Sequence, residues 1–348
     1  MSDGEYSKVK GYIYIALATV LFSTMEIGLK YTSKDFNPMQ LTMIRFLIGG
    51  IALLPFALMK LNKDNQRVSV KSLIKLAFIA FVGIFMGMNI FQMAVIYTNA
   101  SVVSVLFSTN TIFVTILAVP ILGEAIERKT IFALGFQIAG VLAIIQPWDA
   151  HISVIGAVLS LCSALAFAIY GVLGKEQSQK YGGIVTTCIC SLAAAVQMFI
   201  YMCLSHIDGI ADFMRGIGLD SFAEVPFIKG LGMDTIPGLL YVSIIVTGCG
   251  YLCYFLAMEH CEAQTVSLVF FFKPILAPIL AVLLIDEIIP LNMMVGIILI
   301  LIGSIVSIVS DKFTKNRAIG QKVCVTNPST PDNCSNDVAR SIQLHHPT

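Results

Sequence analysis

The chain has 348 residues, of which 57% are hydrophobic and 12% charged, against roughly a quarter charged in an ordinary soluble domain, so a water-soluble fold is excluded. With 22 Lys+Arg against 21 Asp+Glu the net charge is +1, which leaves no basic field to hold nucleic acid. A membrane-spanning helix takes about 20 mainly apolar residues, and a mean hydropathy of +0.85 over this length leaves room for many.

Apolar runs bounded by charges, Pro, Gly or Asn predict spans at 11–30, 38–59, 73–96, 101–122 and 131–148, then at 152–174, 183–205, 235–258, 264–285 and 289–310. β-Barrel strands alternate apolar and polar residues, whereas these runs are apolar all round. The prediction is therefore an all-α polytopic membrane protein with ten transmembrane helices. The opening MSDGEYSKVKGYIYIALATV reads as the first span rather than a signal peptide, because no small-residue cleavage site ends it and Glu26 follows in the same run. Residues 206–234 form the longest external loop, and IADFMRGI within it predicts a short interfacial helix. The polar tail, 311–348, is expected to be disordered and cytoplasmic, and the N-terminus, 1–10, is expected to be cytoplasmic.

Orientation follows from the positive charges, since short cytoplasmic loops hold the excess of Lys and Arg. With the N-terminus inside, sixteen of the 22 fall on the cytoplasmic side, Lys30, Lys34, Arg215 and Lys229 fall outside, and Arg45 and Lys273 remain within spans. An even number of spans with both termini cytoplasmic fits this distribution. The nine cysteines include no CxxC pair and lie mostly inside spans, where Cys behaves as a small hydrophobe. His151, His206, His260, His345 and His346 form no ligand cluster, so no metal and no cofactor is expected.

Sliding the chain by 163 residues aligns ASVVSVLFSTNTIFVTILAVPILGE, residues 100–124, with AQTVSLVFFFKPILAPILAVLLIDE, residues 263–287, without a gap. Ten of the 25 positions are identical, among them Phe107 with Phe270 and Glu124 with Glu287. The same offset pairs Gly87 with Gly250 and Gly140 with Gly303, and an offset of 145 pairs Gly11, Phe22 and Lys30 with Gly156, Phe167 and Lys175. Each repeat holds five helices, residues 11–148 and 149–310, and an odd number places the second copy upside down relative to the first. Such inverted repeats give two nearly equivalent conformations facing opposite sides, with a site at the midplane between the halves.

The doubled pattern of an Ala, an apolar run, a Pro and a closing Glu resembles the drug/metabolite transporter superfamily, EamA type; Ala263 to Glu287 with Pro274 carries it best, and Arg45 in IRFLIGG matches the Arg usual in the second helix. The resemblance implies a ten-helix secondary transporter whose cavity is lined by its first, third, fourth, sixth, eighth and ninth helices. Three positions depart from the family pattern. Phe22-Ser23 stands where Trp-Gly is frequent, Thr111 replaces the Pro of the fourth helix, and Lys273 replaces the acidic residue before the Pro of the ninth. No family substrate transfers across these changes.

An ionisable side chain at mid-membrane costs about 2.5–3.5 kcal/mol on insertion scales, so each needs a partner or a purpose. Three sit deep: Glu26, Arg45 and Lys273. From a rise of about 1.5 Å per residue, Glu26 and Arg45 lie roughly 8 and 5 Å outward of their helix centres, and Lys273 within about 2 Å of its own. Glu26 with Arg45 reads as a structural ion pair or as a proton-coupling or substrate-amine site that Arg45 tunes; a one-turn contact with Lys30 is the third option. Lys273 reads as a cavity residue that contacts a carboxylate or phosphate, or as the structural partner of a residue such as Glu26, with its repeat mate Asn110 on a facing helix. Pro274 and Pro278 each remove a helix hydrogen bond beside it. Asn89, Gln92, Tyr251 and Tyr254 are further substrate-orienting candidates, whereas Gly83 and Gly87 read as close helix packing and Glu124 and Glu287 as loop braces.

The function these residues predict is secondary active transport of a small polar metabolite, proton-coupled or by exchange, in a bacterial-type inner or plasma membrane. The metabolite and the lipid bilayer are the expected partners, and a homodimer is allowed. No catalytic cluster and no GxxxxGK[ST] loop is present, which argues against an enzyme and against direct use of ATP. A facilitative channel or a membrane receptor is the rival reading.

Overall fold

A computed structural model describes residues 3–122, 154–216, 218–267, 269–286 and 288–303, together with 135–136, 138–140 and 142–144. Most of the fifth predicted span, the tail at 311–348, Glu124 and Glu287 lie outside the described residues. Every regular element among the described residues is helical. Among the described residues, seven helices are long and apolar enough to cross a membrane: α1 (Val9–Thr32), α2 (Pro38–Lys63), α3 (Val70–Tyr97), α4 (Ala100–Leu122), α5 (Val154–Tyr181), α6 (Gly183–Leu204) and α7 (Ile236–His260). Two shorter apolar helices follow, α8 (Val269–Ile285) and α9 (Leu291–Gly303).

Outward faces of these helices are apolar. Ile13, Leu17 and Val20 on α1, and Leu47, Ile51, Leu54 and Leu58 on α2, recur every three or four residues and are exposed. Stripes of that extent are a liability in water and the ordinary lipid-facing surface of a membrane helix. The short helix predicted within residues 206–234 is present at Asp208–Gly216.

Local sequence signals explain several boundaries. Asn37 begins α2 by accepting from the Met39 and Gln40 amides at 3.0 and 3.4 Å, with Pro38 at the first helical position. The same two side chains hold the loop at 206–234: Asn37 donates to the Ser221 carbonyl at 2.8 Å, and Gln40 to those of Phe227 and Lys229 at 3.1 and 2.8 Å. Gly230 lets the loop complete this strap, since its φ of +87° suits glycine and a Cβ there would overlap the Asp35 carbonyl.

Among the described residues two helices are interrupted, and a third is preceded by a turn of its own. α1 breaks at Thr24, α4 breaks after Phe107 and resumes at Asn110, and α8 is preceded by a separate turn of helix at Ala263–Val266. The Thr111 hydroxyl reaches across to the Ser267 carbonyl at 3.3 Å, beside the break before α8. α8 itself runs unbroken from Val269 to Ile285 through both prolines. α3 and α7 each contain a π-helical stretch, Phe81–Met86 and Tyr241–Cys249, and the repeat offset of 163 carries the first onto the end of the second. The Asn89 side chain donates to the Phe85 carbonyl in one stretch at 2.6 Å, and the Thr247 hydroxyl to the Val242 carbonyl in the other at 2.8 Å.

The packing follows the repeat. α3 packs on α5 as α1 packs on α7, α4 on α5 as α8 on α1, and α6 on α3 as α2 on α7; α2 with α6 and α4 with α8 complete the set. Exchanging α1–α4 for α5–α8 leaves this list unchanged. Single residues obey the same rule: a Cβ on Gly156 would lie 2.8 Å from Thr98, and one on its mate Gly11 would overlap Cys261, the mate of Thr98. Gly83 and Gly87 are close-packing positions, facing Tyr170 and Ala166 on α5.

Candidate functional site

The helix break at Thr24 precedes Glu26, which is fully buried. Its carboxylate forms an ion pair with the ammonium of Lys273 on α8, and the two side chains are 1% and 0% exposed. Neither group has a hydrogen-bond partner outside the pair among the described residues. The Lys273 ammonium also lies over the rings of Phe91 and Phe107, 5.4 and 4.9 Å from their centroids. An element of the first repeat thus neutralises a charge supplied by the second.

Arg45 is not the partner of Glu26. α1 packs against α7 and α8, while α2 packs against α6 and α7, so helices consecutive in the chain are set apart by α7. Equal depth in the membrane therefore does not bring the two charges together. Arg45 is fully buried, lies 5.0 Å over the ring of Phe46, and none of its guanidinium nitrogens has a hydrogen-bond partner among the described residues. Lys30 donates to the Val95 and Thr98 carbonyls, both at 2.9 Å, and so braces the end of α3.

The other candidates divide into anchored and unanchored groups. Asn110 donates to the Ala164 carbonyl on α5 at 2.9 Å, with its side-chain oxygen unpartnered among the described residues, and Asn89 serves the π-turn carbonyl of Phe85. Tyr251 donates to the Met88 sulfur at 2.9 Å. Gln92, at 0% exposure, and the Tyr170 and Tyr254 hydroxyls have no hydrogen-bond partner among the described residues. Orphaned polar groups in this number are unusual for a protein interior, and they lie on α3, α5 and α7.

Aromatic rings link these polar groups. Phe22, Phe107, Phe167 and Phe270 pack together, with centroid separations of 5.6 Å for Phe107–Phe167, 5.5 Å for Phe107–Phe270, 5.3 Å for Phe167–Phe270 and 6.2 Å for Phe22–Phe270. Tyr251 sets its ring edge-on to Phe22 and to Phe46, both at 5.2 Å. The sequence marks Phe22 as a departure from the family pattern and the others as repeat positions, and makes none of the four a site residue. The signal was present in the repeat itself: Phe22 with Phe167 and Phe107 with Phe270 are the pairs identical at offsets of 145 and 163. Among the described residues no group of His, Cys, Asp and Glu could hold a metal ion.

Comparison with known proteins agrees with this architecture. The model of the EamA-like transporter family matches residues 9–146 and again residues 154–309. An uncharacterized transporter of Clostridium kluyveri is 33% identical over 311 residues, covering 87% of this chain and 94% of its own length. The uncharacterized transporter YvbV of Bacillus subtilis is 24% identical over 284 residues, 81% of this chain and 86% of that one. One solved crystal structure shares the fold with a TM-score of 0.62 at 15% identity, over 87% of this chain and 97% of the other. Two successive matches to one family model, across a helical membrane chain, place it plainly: the chain belongs to the EamA-like transporter family.

Proposed function

We propose that the chain is a secondary active transporter for a small polar metabolite, with ten spans in two inverted halves, both termini cytoplasmic, working by alternating access in the cell membrane. The observation that carries this reading is the buried Glu26–Lys273 pair, which joins α1 of the first half to α8 of the second. Two charges without other donors hold each other in place, and movement of one half against the other would strip each of its partner. Such separation costs several kcal/mol per ion unless a proton or a cargo group replaces the lost partner. That requirement couples conformational change to binding, which a carrier needs and a channel does not. Gln92, Tyr254 and the free oxygen of Asn110 would orient the cargo beside the pair.

The test uses purified full-length protein in proteoliposomes, with a labelled metabolite chosen by thermal-shift screening. Counterflow of the label is expected; a channel or a receptor gives none. Glu26→Gln is expected to abolish accumulation driven by a pH gradient while sparing exchange. Accumulation unchanged in that variant would refute the proton-coupling role of Glu26.

A further inference from the structure

The pairing of Glu26 with Lys273 leaves a charge imbalance that the sequence alone did not reveal. Four charged side chains are buried among the described residues: Glu26, Arg45, Lys175 and Lys273. Lys175 lies toward the C-terminal end of α5, with its side chain 7% exposed, and Glu26 and Lys273 cancel. Arg45 remains, fully buried, with all three guanidinium nitrogens unsatisfied by the described residues. A guanidinium in that condition carries a large desolvation cost. An anion placed against it would remove most of that cost.

Its setting defines the anion. The planar guanidinium fork matches a carboxylate in bidentate geometry better than it matches any neutral group. It lies over Phe46, whose ring meets Tyr251 edge-on, and Tyr251 in turn meets Phe22, so the walls around the charge are aromatic. α2 and α7 approach closely just beyond it: a Cβ on Gly49, one turn after Arg45, would lie 2.9 Å from the Ser243 carbonyl and 3.2 Å from the Gly248 amide, both in the π-helical stretch of α7. The carboxylate end of the cargo would therefore sit between α2 and α7, beside the Phe46 and Tyr251 rings. One uncompensated cation balances one negative charge. A dianion would bring an unmatched charge, and an amine would find Glu26, the one buried carboxylate among the described residues, already engaged by Lys273.

We infer that the cargo is a small organic monoanion, a carboxylate on a largely apolar body, and that Arg45 binds the carboxylate. The inference rests on the carrier reading above and moves anion recognition from Lys273 to Arg45.

Thermal unfolding of the purified full-length protein, titrated with matched probes, tests it. The probes are phenylacetate, phenylacetamide, phenethylamine and phenylsuccinate, with isovalerate and isovaleramide as an aliphatic pair. At least one acid is expected to stabilise the protein about tenfold or more better, in apparent affinity, than its amide, the usual worth of a charge-assisted hydrogen-bond pair. Arg45→Met is expected to erase the preference for acid over amide. Arg45→Lys, which keeps the charge and loses the fork, is expected to keep the preference with weaker affinity, and it decides the matter alone if the Met variant does not fold. The inference is overturned by equal binding of acid and amide, by tighter binding of phenylsuccinate or phenethylamine, by no binding of either acid, or by variants with unaltered acid affinity. Counterflow separates the two readings. An acid that binds through Arg45 yet shows no counterflow sinks the carrier and leaves the anion site, whereas counterflow with an unchanged acid preference in Arg45→Met does the reverse.

Discussion

A double-mutant cycle on Glu26 and Lys273 puts the central pair to a quantitative test. Both side chains are essentially inaccessible and have no outside hydrogen-bond partner among the described residues. Removing either one alone strands a buried charge, which costs about 3–5 kcal/mol. Lys273→Met also forfeits the ammonium's approach to Phe91 and Phe107, worth about 0.5–2 kcal/mol for a desolvated cation. Glu26→Gln combined with Lys273→Met removes both charges, leaving the lost cation–π contact and one poorly satisfied amide, a residual cost of about 1–3 kcal/mol. The coupling energy is therefore expected to exceed about 2 kcal/mol, with the double variant more stable than at least one single variant. In a chain of this size 1 kcal/mol moves the midpoint by about 2 °C or less, so differential scanning of detergent-purified protein should rank the double variant several degrees above the worse single. Additive losses would refute the reasoning, because they would mean that neither charge depends on the other.

Two packing predictions follow from α5 and from the loop at 206–234. A Cβ on Gly171 would overlap the Tyr254 hydroxyl, while the next atoms, Tyr254 Cζ and Met258 Cε, stand off at 3.4 and 3.5 Å. Gly171→Ala is expected to cost about 1–3 kcal/mol through overpacking, and Tyr254→Phe in the same chain to recover most of it; thermal midpoints that show no recovery would place the clash elsewhere. Gly230→Ala is expected to loosen the strap of residues 206–234, because the substitution meets both a φ of +87° and the Asp35 carbonyl. Limited proteolysis checks this, with faster cleavage in the loop expected and an unchanged rate counting against it.

The course of the chain through the membrane was legible because bilayer insertion demands long apolar runs, and such runs leave a plain mark on a sequence. The first four predicted spans and the sixth to eighth correspond to described helices. Charges misled at one end: the span predicted at 152–174 continues to Tyr181, since Lys175 and Lys180 stop hydrophobicity without stopping backbone hydrogen bonding. The break at Thr24 and the two π-helical stretches left no mark, because they are settled by tertiary contacts and not by composition. The site was half legible. Glu26, Arg45 and Lys273 stood out because buried charge is rare, but their pairing depended on which helices touch: chain adjacency suggested Arg45 for Glu26, while the alternative of Lys273 as a structural partner of Glu26 is the pairing the structure holds. The aromatic cluster was hidden among 22 phenylalanines, and only its coincidence with the repeat-identical positions distinguishes it.

The strap at 206–234 bears on how a carrier of this design would rest. Residues 64–69 make a short connection between α2 and α3, whereas the matching connection between α6 and α7 is the long loop tied to Asn37 and Gln40. Perfect pseudo-symmetry would populate the inward-facing and outward-facing forms equally. Three side-chain bonds to one loop, at about 1 kcal/mol each, shift that balance by about a hundredfold when the opposite form releases them. The resting orientation would then be written in the loop, where it can change by mutation without touching a residue that meets the cargo.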